Sequence, residues 1–147
     1  MTTLNDIKEA VNCTLKQIYP EYKIYGADTI EGYRRPSFFV YVTQTFSEAT
    51  KNAVHKNVEI EVDYIQKSPD ESDAMKFFEK MEKAFYHKLK LRNGRQLTTD
   101  GHSQEFQGTY NNIPCYFFNV EFWSEIEAEK DDIAIMKDLK INEEVKE

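Results

Sequence analysis

Val58-Glu59-Ile60-Glu61-Val62-Asp63-Tyr64 is the segment of this sequence with the most regular pattern. Its apolar residues alternate strictly with three carboxylates, and a period of two predicts a strand with one apolar face and one acidic, solvated face. A strand of this kind is typical of an antiparallel sheet that is covered on one side only. The alternation therefore predicts a sheet whose apolar face is covered by helices.

Two further segments, Pro36–Gln44 and Pro114–Trp123, alternate in the same way and are predicted to lie beside this strand. The second segment is apolar on both faces, since Phe117 and Trp123 oppose its main apolar set. This predicts a central place in the sheet, or a second face covered by another subunit. The apolar residues assigned to the covered face are Phe38, Val40 and Val42 in the first segment and Tyr116, Phe118, Val120 and Phe122 in the second.

The central strand is also predicted to be unusually long. Val54 and Lys56 keep the phase of the alternation, so the strand is expected to run from about Ala53 to Gln66, with polar Phe46–Asn52 as the connection before it. Strands are usually about 5–6 residues long. We therefore expect this strand to extend beyond the rest of the sheet as part of a projecting hairpin arm, which can hold a neighbouring molecule.

Two helices are predicted from apolar spacing and capping signals. In the first, Thr3 caps the N-terminus with Asp6 in the capping box, and the apolar stripe ends at Pro20. The second is expected to start with Ser68 as N-cap, Pro69 at the first helical position and Glu71 in the capping box, and to stop at Asn93-Gly94. Its apolar stripe is Ala74, Phe77, Phe78, Met81, Phe85 and Leu89, and its opposite side carries Lys76, Lys80, Lys83, His87 and Lys90.

The remaining segments complete an α+β fold with a mostly antiparallel four- to five-stranded sheet flanked by two main helices. A short strand is expected at Tyr22–Gly26, and a last hairpin passes through turns at Asp100-Gly101 and Asn111-Asn112. Residues 1–126 are predicted to form a single domain. From Glu127 the composition changes, and 127–147 is expected to be an acidic tail or arm that orders on a partner.

Charge and composition exclude several classes of function. A net charge of −7 and a pI near 5.1 argue against nucleic-acid binding, which requires a surplus of Lys and Arg on one face. No apolar stretch approaches the roughly 20 residues that span a bilayer, and no export segment is recognisable, so assembly in a cytoplasm is expected. Cys13 and Cys115 lack metal-type spacing and are predicted to be buried free thiols.

Catalytic and cofactor motifs are not recognisable in the sequence. His55, His87 and His102 have no carboxylate or thiol at a ligand-like spacing, and there is no phosphate-binding loop or nucleophile elbow. The carboxylates of Glu59 and Glu61 could serve acid–base chemistry, but regular i, i+2 carboxylates on a strand usually form a solvated face. We therefore expect a protein that is not an enzyme and that binds no metal or cofactor.

Two clusters of positive charge are candidates for docking. Arg34 and Arg35 lie in a loop marked by Gly32 and Pro36, where they could grip a carboxylate of a neighbouring subunit or remain merely solvated. The predicted lysine face of the second helix could likewise be a solvated surface or a docking ridge for an acidic partner.

The order of these segments resembles that of phage tail terminator proteins, especially those of Gram-positive phages, defective prophages and phage-tail-like bacteriocins. The resemblance covers about residues 4 to 126. The segments Arg35-Pro36-Ser37-Phe38-Phe39-Val40, Asp63-Tyr64 and Phe118-Asn119-Val120-Glu121-Phe122 carry it, and all three are structural. The polar segment Gln104–Asn112 and the acidic tail depart from the family pattern.

This resemblance implies a protein that forms a hexameric ring on the last tube ring, ends tube elongation and joins the tail to a neck, head connector or collar. Its implied partners are further copies of itself, the tail tube protein and, in contractile particles, the sheath. Glu59, Glu61 and Asp63 are candidates for the lumen, where acidic groups would let DNA pass. Interface candidates are Arg34, Arg35, Lys76, Lys80, Lys83, Lys90, Phe117 and Trp123.

One alternative of a different class stays open. A monomeric cytosolic α+β module could use the aromatic face of the sheet to bind a small ligand or a peptide. Ring formation separates the two hypotheses, because such a module has no need to associate with itself.

Overall fold

The computed structural model describes residues 2–125, which form an α+β fold with two helices packed on one face of a six-stranded sheet. The strand order is β1-β2-β3-β6-β5-β4, and every neighbouring pair is antiparallel except β1 and β2. The elements in chain order are α1 (Leu4–Ile18), β1 (Lys23–Tyr25), β2 (Ser37–Ala49), β3 (Ala53–Ile65), α2 (Glu71–Phe85), β4 (Lys88–Lys90), β5 (Gln96–Gln107) and β6 (Ile113–Glu125). The predicted tail, 127–147, lies outside the described residues.

The fold class is confirmed, but the expected four to five antiparallel strands were too few. The sheet is mixed, because the short edge strand β1 runs parallel to β2. Strands β1 and β4 have only three residues each, too short to display an alternation that could be counted.

Helix α1 forms as its sequence predicts. The Thr3 hydroxyl accepts a hydrogen bond from the Asp6 amide at 3.1 Å, and the Asp6 carboxylate accepts one from the Thr3 amide at 2.9 Å. This reciprocal capping box satisfies two amides that the first turn would otherwise leave unpaired.

The predicted start of α2 at Ser68 was wrong, because Asp70 is the N-cap. Its carboxylate accepts hydrogen bonds from the amides of Ser72 and Asp73 at 3.0 and 3.3 Å. A carboxylate here also faces the positive end of the helix dipole, an advantage that the neutral hydroxyl of Ser68 lacks. The side chain of Gln66 holds this N-terminus by donating to the Asp70 carbonyl at 2.8 Å.

The predicted end of α2 at Asn93-Gly94 was also wrong, since the helix stops at Phe85. The Thr99 hydroxyl donates to the Phe85 carbonyl at 2.5 Å, and His87 turns the chain with a φ of 96°. Lys90 therefore lies on β4 and not on the helical lysine face. Leu89 is buried, but as a residue of β4. Because it also stands at helical spacing from Phe85, in the sequence it continues the apolar stripe of the helix.

The hairpin of β2 and β3 is longer than predicted on its first strand. Phe46–Asn52 was expected to be a connection, but β2 continues to Ala49 past a bulge between Gln44 and Phe46. The Thr50 hydroxyl closes the turn by donating to the Ala53 carbonyl at 3.0 Å. The predicted long third strand is confirmed over Ala53–Ile65. It does not outrun the sheet as a free hairpin, because β6 pairs with it as far as Ala53. We call the hairpin beyond Thr43 and before Asn57, together with Phe122–Glu125 of β6 beside it, the arm.

The core lies between the helices and one face of the sheet, which we call the inner face. Strand β6 lies between β3 and β5, as its apolar pattern predicted. Both α1 and α2, the helices between residues 2 and 125, are too short and too polar to cross a membrane. The largest fully buried side chains are Tyr116, Phe38, Phe77, Phe85, Phe118, Ile7, Leu15, Ile60, Met81, Leu89, Val11 and Val40.

Candidate interaction surfaces

The face of the sheet opposite the helices, here the outer face, carries the alternate residues of the same strands. Register places Asp63 between Phe39 on β2 and Cys115 on β6, and Glu61 between Tyr41 and Phe117. Because residues paired across strands share a face, the carboxylates lie among aromatic rings and a thiol.

The outer-face carboxylates are half-buried, which corrects the expectation of a fully solvated acidic face. Glu61 and Asp63 are two residues apart on one strand, and Glu105 lies opposite Cys115 in the same row as Asp63. The Asp63 Oδ1 atom is buried and accepts no hydrogen bond within residues 2–125.

The pKa values of four neighbouring outer-face groups are all raised, as expected for acidic groups that are crowded together and partly buried. They are Tyr41, Glu61, Asp63 and Cys115. The pKa of Glu61 is raised to about 8, first by burial and then by the hydrogen bond to Asp63 and by the charges of Asp63, Glu59 and Glu105. Burial also raises the pKa of Asp63, although hydrogen bonds from Cys115 and Glu61 oppose the change. The pKa values of Tyr41 and Cys115 are raised by burial first and by Asp63 as well. The pair therefore retains a proton near neutral pH.

An exposed aromatic cluster lies on the outer face of the arm and is built from three strands. The imidazole of His55 stacks on the indole of Trp123, with centroids 4.6 Å apart, and meets the ring of Phe46 at 5.7 Å. The His55 Nε2 atom lies 2.5 Å from the Glu121 carboxylate. Trp123 is 54% exposed and Phe46 is 46% exposed. Exposed rings held in one place are typical of surfaces that bind another protein.

Arg95 fixes the backbone beneath this cluster. Its guanidinium donates to the Trp123 carbonyl at 2.5 Å and to the Thr2 hydroxyl at 2.7 Å, and it lies 5.5 Å from the centre of the Phe122 ring. These contacts tie the end of β6 to Thr2, which precedes the N-cap of α1. The indole of Trp123 is therefore presented from a rigid element.

The opposite end of the sheet carries the predicted arginine pair beside a cleft of about 320 Å³. The Arg34 amide donates to the Tyr25 hydroxyl at 3.1 Å, and the Arg35 guanidinium donates to the Gln66 carbonyl at 3.3 Å. The Arg35 guanidinium also lies 5.8 Å from the centre of the Tyr33 ring. Both arginines are exposed, and the side chain of Arg35 is held in place while Arg34 is held through its backbone amide. Arg35 lines the cleft together with the 83% exposed Tyr110.

A groove of about 510 Å³ separates α1 from α2 on the helical side of the molecule. Ile18 and Ala84 pack against the core and give the groove an apolar floor, while Lys80 and Lys83 stand on its rim. The Lys80 ammonium lies 4.8 Å from the centre of the Tyr19 ring. Lys76, Lys80 and Lys83 are exposed, and within residues 2–125 none of them pairs with a carboxylate. Thr14 and Gln17 complete the lining of the groove.

The three histidines lie in separate places. His55 is in the arm cluster and His87 follows α2, while His102 lies in the bulge of β5 between Asp100 and Ser103. The Nδ1 atom of His102 is 2.5 Å from the Tyr116 hydroxyl, and burial lowers the His102 pKa. No group of three or more His, Cys, Asp or Glu residues within residues 2–125 is arranged to hold a metal ion.

The structure brings some of the predicted site residues together and separates others. Glu61 and Phe117 share one row of the outer face, whereas Arg34 and Trp123 lie at opposite ends of the sheet. Sequence reasoning missed His55 and Phe46 as partners of Trp123, because only the strand register brings the three together. Cys13 is exposed, contrary to expectation, and Cys115 is buried as predicted.

A family model described as "Phage tail terminator protein" matches residues 6–132, which is most of the chain. No curated protein matches the sequence.

Proposed function

Because this chain belongs to the phage tail terminator family, we propose that it caps the tail tube as a hexameric ring and ends tube polymerisation. The same ring would join the tail to the neck, head or collar. A member of this family is a structural component of a phage tail and not typically an enzyme. The family match over residues 6–132 is the observation that carries the proposal.

The two-sided character of the sheet supports self-association. Helices cover the inner face, while the outer face and the arm present half-buried and exposed aromatic rings. A ring needs a heterologous interface, in which one surface of each copy meets a different surface of the next. We propose that Phe117 and Trp123, on the outer face and its arm, lie in that interface.

The acidic residues of the outer face suit a lumen through which DNA passes. Three carboxylates occupy alternate positions of β3, namely Glu59, Glu61 and Asp63. Negative groups of this kind repel the phosphates of DNA. We propose that these three carboxylates face the lumen of the ring, beside the interface that contains Phe117 and Trp123.

The positively charged residues provide surfaces for partners beyond the ring. Lys76, Lys80 and Lys83 are exposed along α2, and Arg34 and Arg35 lie at the cleft end of the sheet. We propose that these groups meet acidic surfaces of the tail tube, the neck or collar or, in a contractile particle, the sheath. Lys90, on β4, remains a separate interface candidate. No specific contact with nucleic acid or membrane is proposed.

The proposed location is the head-proximal end of the tail, in a phage or in a headless phage-tail-like particle. Assembly would take place in the bacterial cytoplasm. Residues 1–126 would act as a single domain, with 127–147 as an acidic arm.

The docking role of the α2 lysines is tested by reversing their charge. A Lys76→Glu/Lys80→Glu/Lys83→Glu variant should fold normally but yield tails of abnormal length or with open ends in electron micrographs. The matched control reverses three other exposed lysines, Lys23, Lys67 and Lys88. Normal-length, fully capped tails in the α2 variant would contradict the docking role.

The alternative function is a monomeric binding module. The cleft of about 320 Å³ lined by Tyr33, Arg35 and Tyr110 is the observation in its favour, since aromatic walls and one cation suit a small anionic ligand or a peptide. The mass of the purified protein in solution distinguishes the two functions, because a module stays monomeric in the presence of tubes.

A further inference from the structure

We propose that the acidic segment 127–147 docks in the groove between α1 and α2 of its own chain. This inference concerns the isolated protein and does not depend on the proposed role in tails. Docking there would cover Lys80 and Lys83, the lysines that an acidic partner from outside the chain would otherwise contact.

The groove has the chemistry to receive a mixed apolar and acidic peptide. Its volume of about 510 Å³ lies within the range of sites that bind small ligands, roughly 300–1,000 Å³. Ile18 and Ala84 form the apolar floor, and Lys80 and Lys83 provide positive charge at the rim. A peptide that fits would combine apolar side chains with carboxylates.

Segment 127–147 has this composition. It contains eight acidic residues and four lysines, so it carries −4 of the net charge of −7 and leaves −3 for residues 1–126. Its apolar residues are Ile133, Ile135, Met136, Leu139, Ile141 and Val145, with Ala128 and Ala134 as smaller ones. The α2 lysines have no carboxylate partner within residues 2–125, so the segment offers the charge that they lack.

The segment is long enough to reach the groove of its own chain. The described chain ends at Glu125, which pairs with Ala53 at the arm end of the sheet. Strand β3 has 13 residues and spans about 43 Å. Residues 127–147, fully extended, span up to about 70 Å. Tethering gives such a contact an effective concentration on the order of millimolar, which favours the chain's own segment over that of a second copy.

Cys13 provides a native reporter for this contact. It is exposed while Cys115 is buried, so a maleimide reagent should modify one position. Cys13 precedes Gln17 by about one turn of α1, and Gln17 lines the groove. We would label Cys13 of the full chain with benzophenone maleimide, irradiate it without tubes and map the cross-links by mass spectrometry.

The expected result is cross-linking from Cys13 into residues 127–147. In a mixture of ¹⁴N and ¹⁵N protein, the linked peptides should carry one isotope only. A Lys80→Glu/Lys83→Glu variant should reduce the yield at least fivefold, while the control Lys23→Glu/Lys67→Glu should not. Both variants would first be shown to fold by circular dichroism, since all four lysines are exposed.

Three outcomes would overturn the proposal. They are an absence of cross-links in 127–147, products of mixed isotope composition, and a yield that charge reversal on α2 leaves unchanged. Each of these outcomes would leave the ring proposal standing, because the assay contains no tube.

Discussion

The inner and outer faces of the sheet use alternate residues of the same strands and differ completely in chemistry. On β3, Ile60 and Val62 are fully buried under the helices, whereas Glu61 and Asp63 between them are half-buried. The inner face is closed by its own chain. The outer face holds carboxylates with raised pKa values among buried and half-buried aromatic rings, which is a costly arrangement for a surface without a partner. We propose that the inner face provides stability and that the outer face provides the contact between copies.

The largest expected effect comes from truncating neighbouring residues on opposite faces of β6. Phe118→Ala removes a fully buried ring that stacks on Phe85 at 4.7 Å, and it should lower the free energy of unfolding by about 3–5 kcal/mol. Phe117→Ala, on the outer face, should lower it by only about 1 kcal/mol. Urea denaturation followed by circular dichroism measures both. Equal losses would mean that the outer face is as much a part of the core as the inner one.

Helix α2 covers part of the inner face, and its stability depends on the cap at its N-terminus. Asp70→Ala removes the carboxylate that caps two amides and should lower the free energy of unfolding by about 1 kcal/mol. Ser68→Ala should change it by no more than about 0.5 kcal/mol, because the Ser68 hydroxyl does not cap the helix. The same denaturation experiment compares the two variants. A larger loss of unfolding free energy for Ser68→Ala than for Asp70→Ala would indicate that Ser68 is the N-cap, as the sequence suggested.

The protonation of the outer face predicts an unusual dependence of stability on pH. Because the Glu61 pKa is raised to about 8 in the folded protein, the native state binds more protons than the unfolded state between about pH 4.5 and pH 8. The free energy of unfolding should therefore fall as pH rises through this window. Glu61→Gln cannot lose a proton, so it should be more stable than the wild type near pH 8 and should flatten the slope.

Thermal unfolding of Glu61→Gln at pH 4, 6 and 8 checks this expectation. Glu125→Gln, at the exposed end of β6, is the control and should keep the wild-type slope. Equal pH dependence of stability in the wild type and in Glu61→Gln would show that Glu61 is ionised in the fold.

The smallest expected effect on stability belongs to the arm. Trp123→Ala removes a ring that is 54% exposed and should lower the free energy of unfolding by less than about 1 kcal/mol, while weakening assembly. Sedimentation with tail tubes measures the loss of assembly. If a correctly folded Trp123→Ala protein still associates normally with tail tubes, the arm is not part of the interface.

Much of the fold was predictable because its signals are periodic. The alternation in Val58–Tyr64 identified the central strand and its acidic face, and Thr3 with Asp6 identified the cap of α1. The end of α2 was not predictable, since Leu89 satisfies the helical stripe and is buried equally well as a strand residue. Its start was ambiguous as well, because Ser68 and Asp70 are both good caps and only the folded contacts choose between them.

The candidate surfaces were predictable only in part. The acidic row follows from residues two apart on one strand, and the lysines of α2 follow from helical spacing. The cluster of Phe46, His55 and Trp123 depends on the register of three strands and on a bulge, and neither is visible in local sequence. The half-burial of Glu61 likewise depends on Tyr41 and Phe117 across the strands.

The most direct test is the mass of the purified protein by light scattering, with and without isolated tail tubes, followed by electron microscopy of the tube ends. The ring proposal predicts a hexamer in solution, or a ring that forms only at one end of the tube. A strict monomer that leaves both tube ends bare would contradict it.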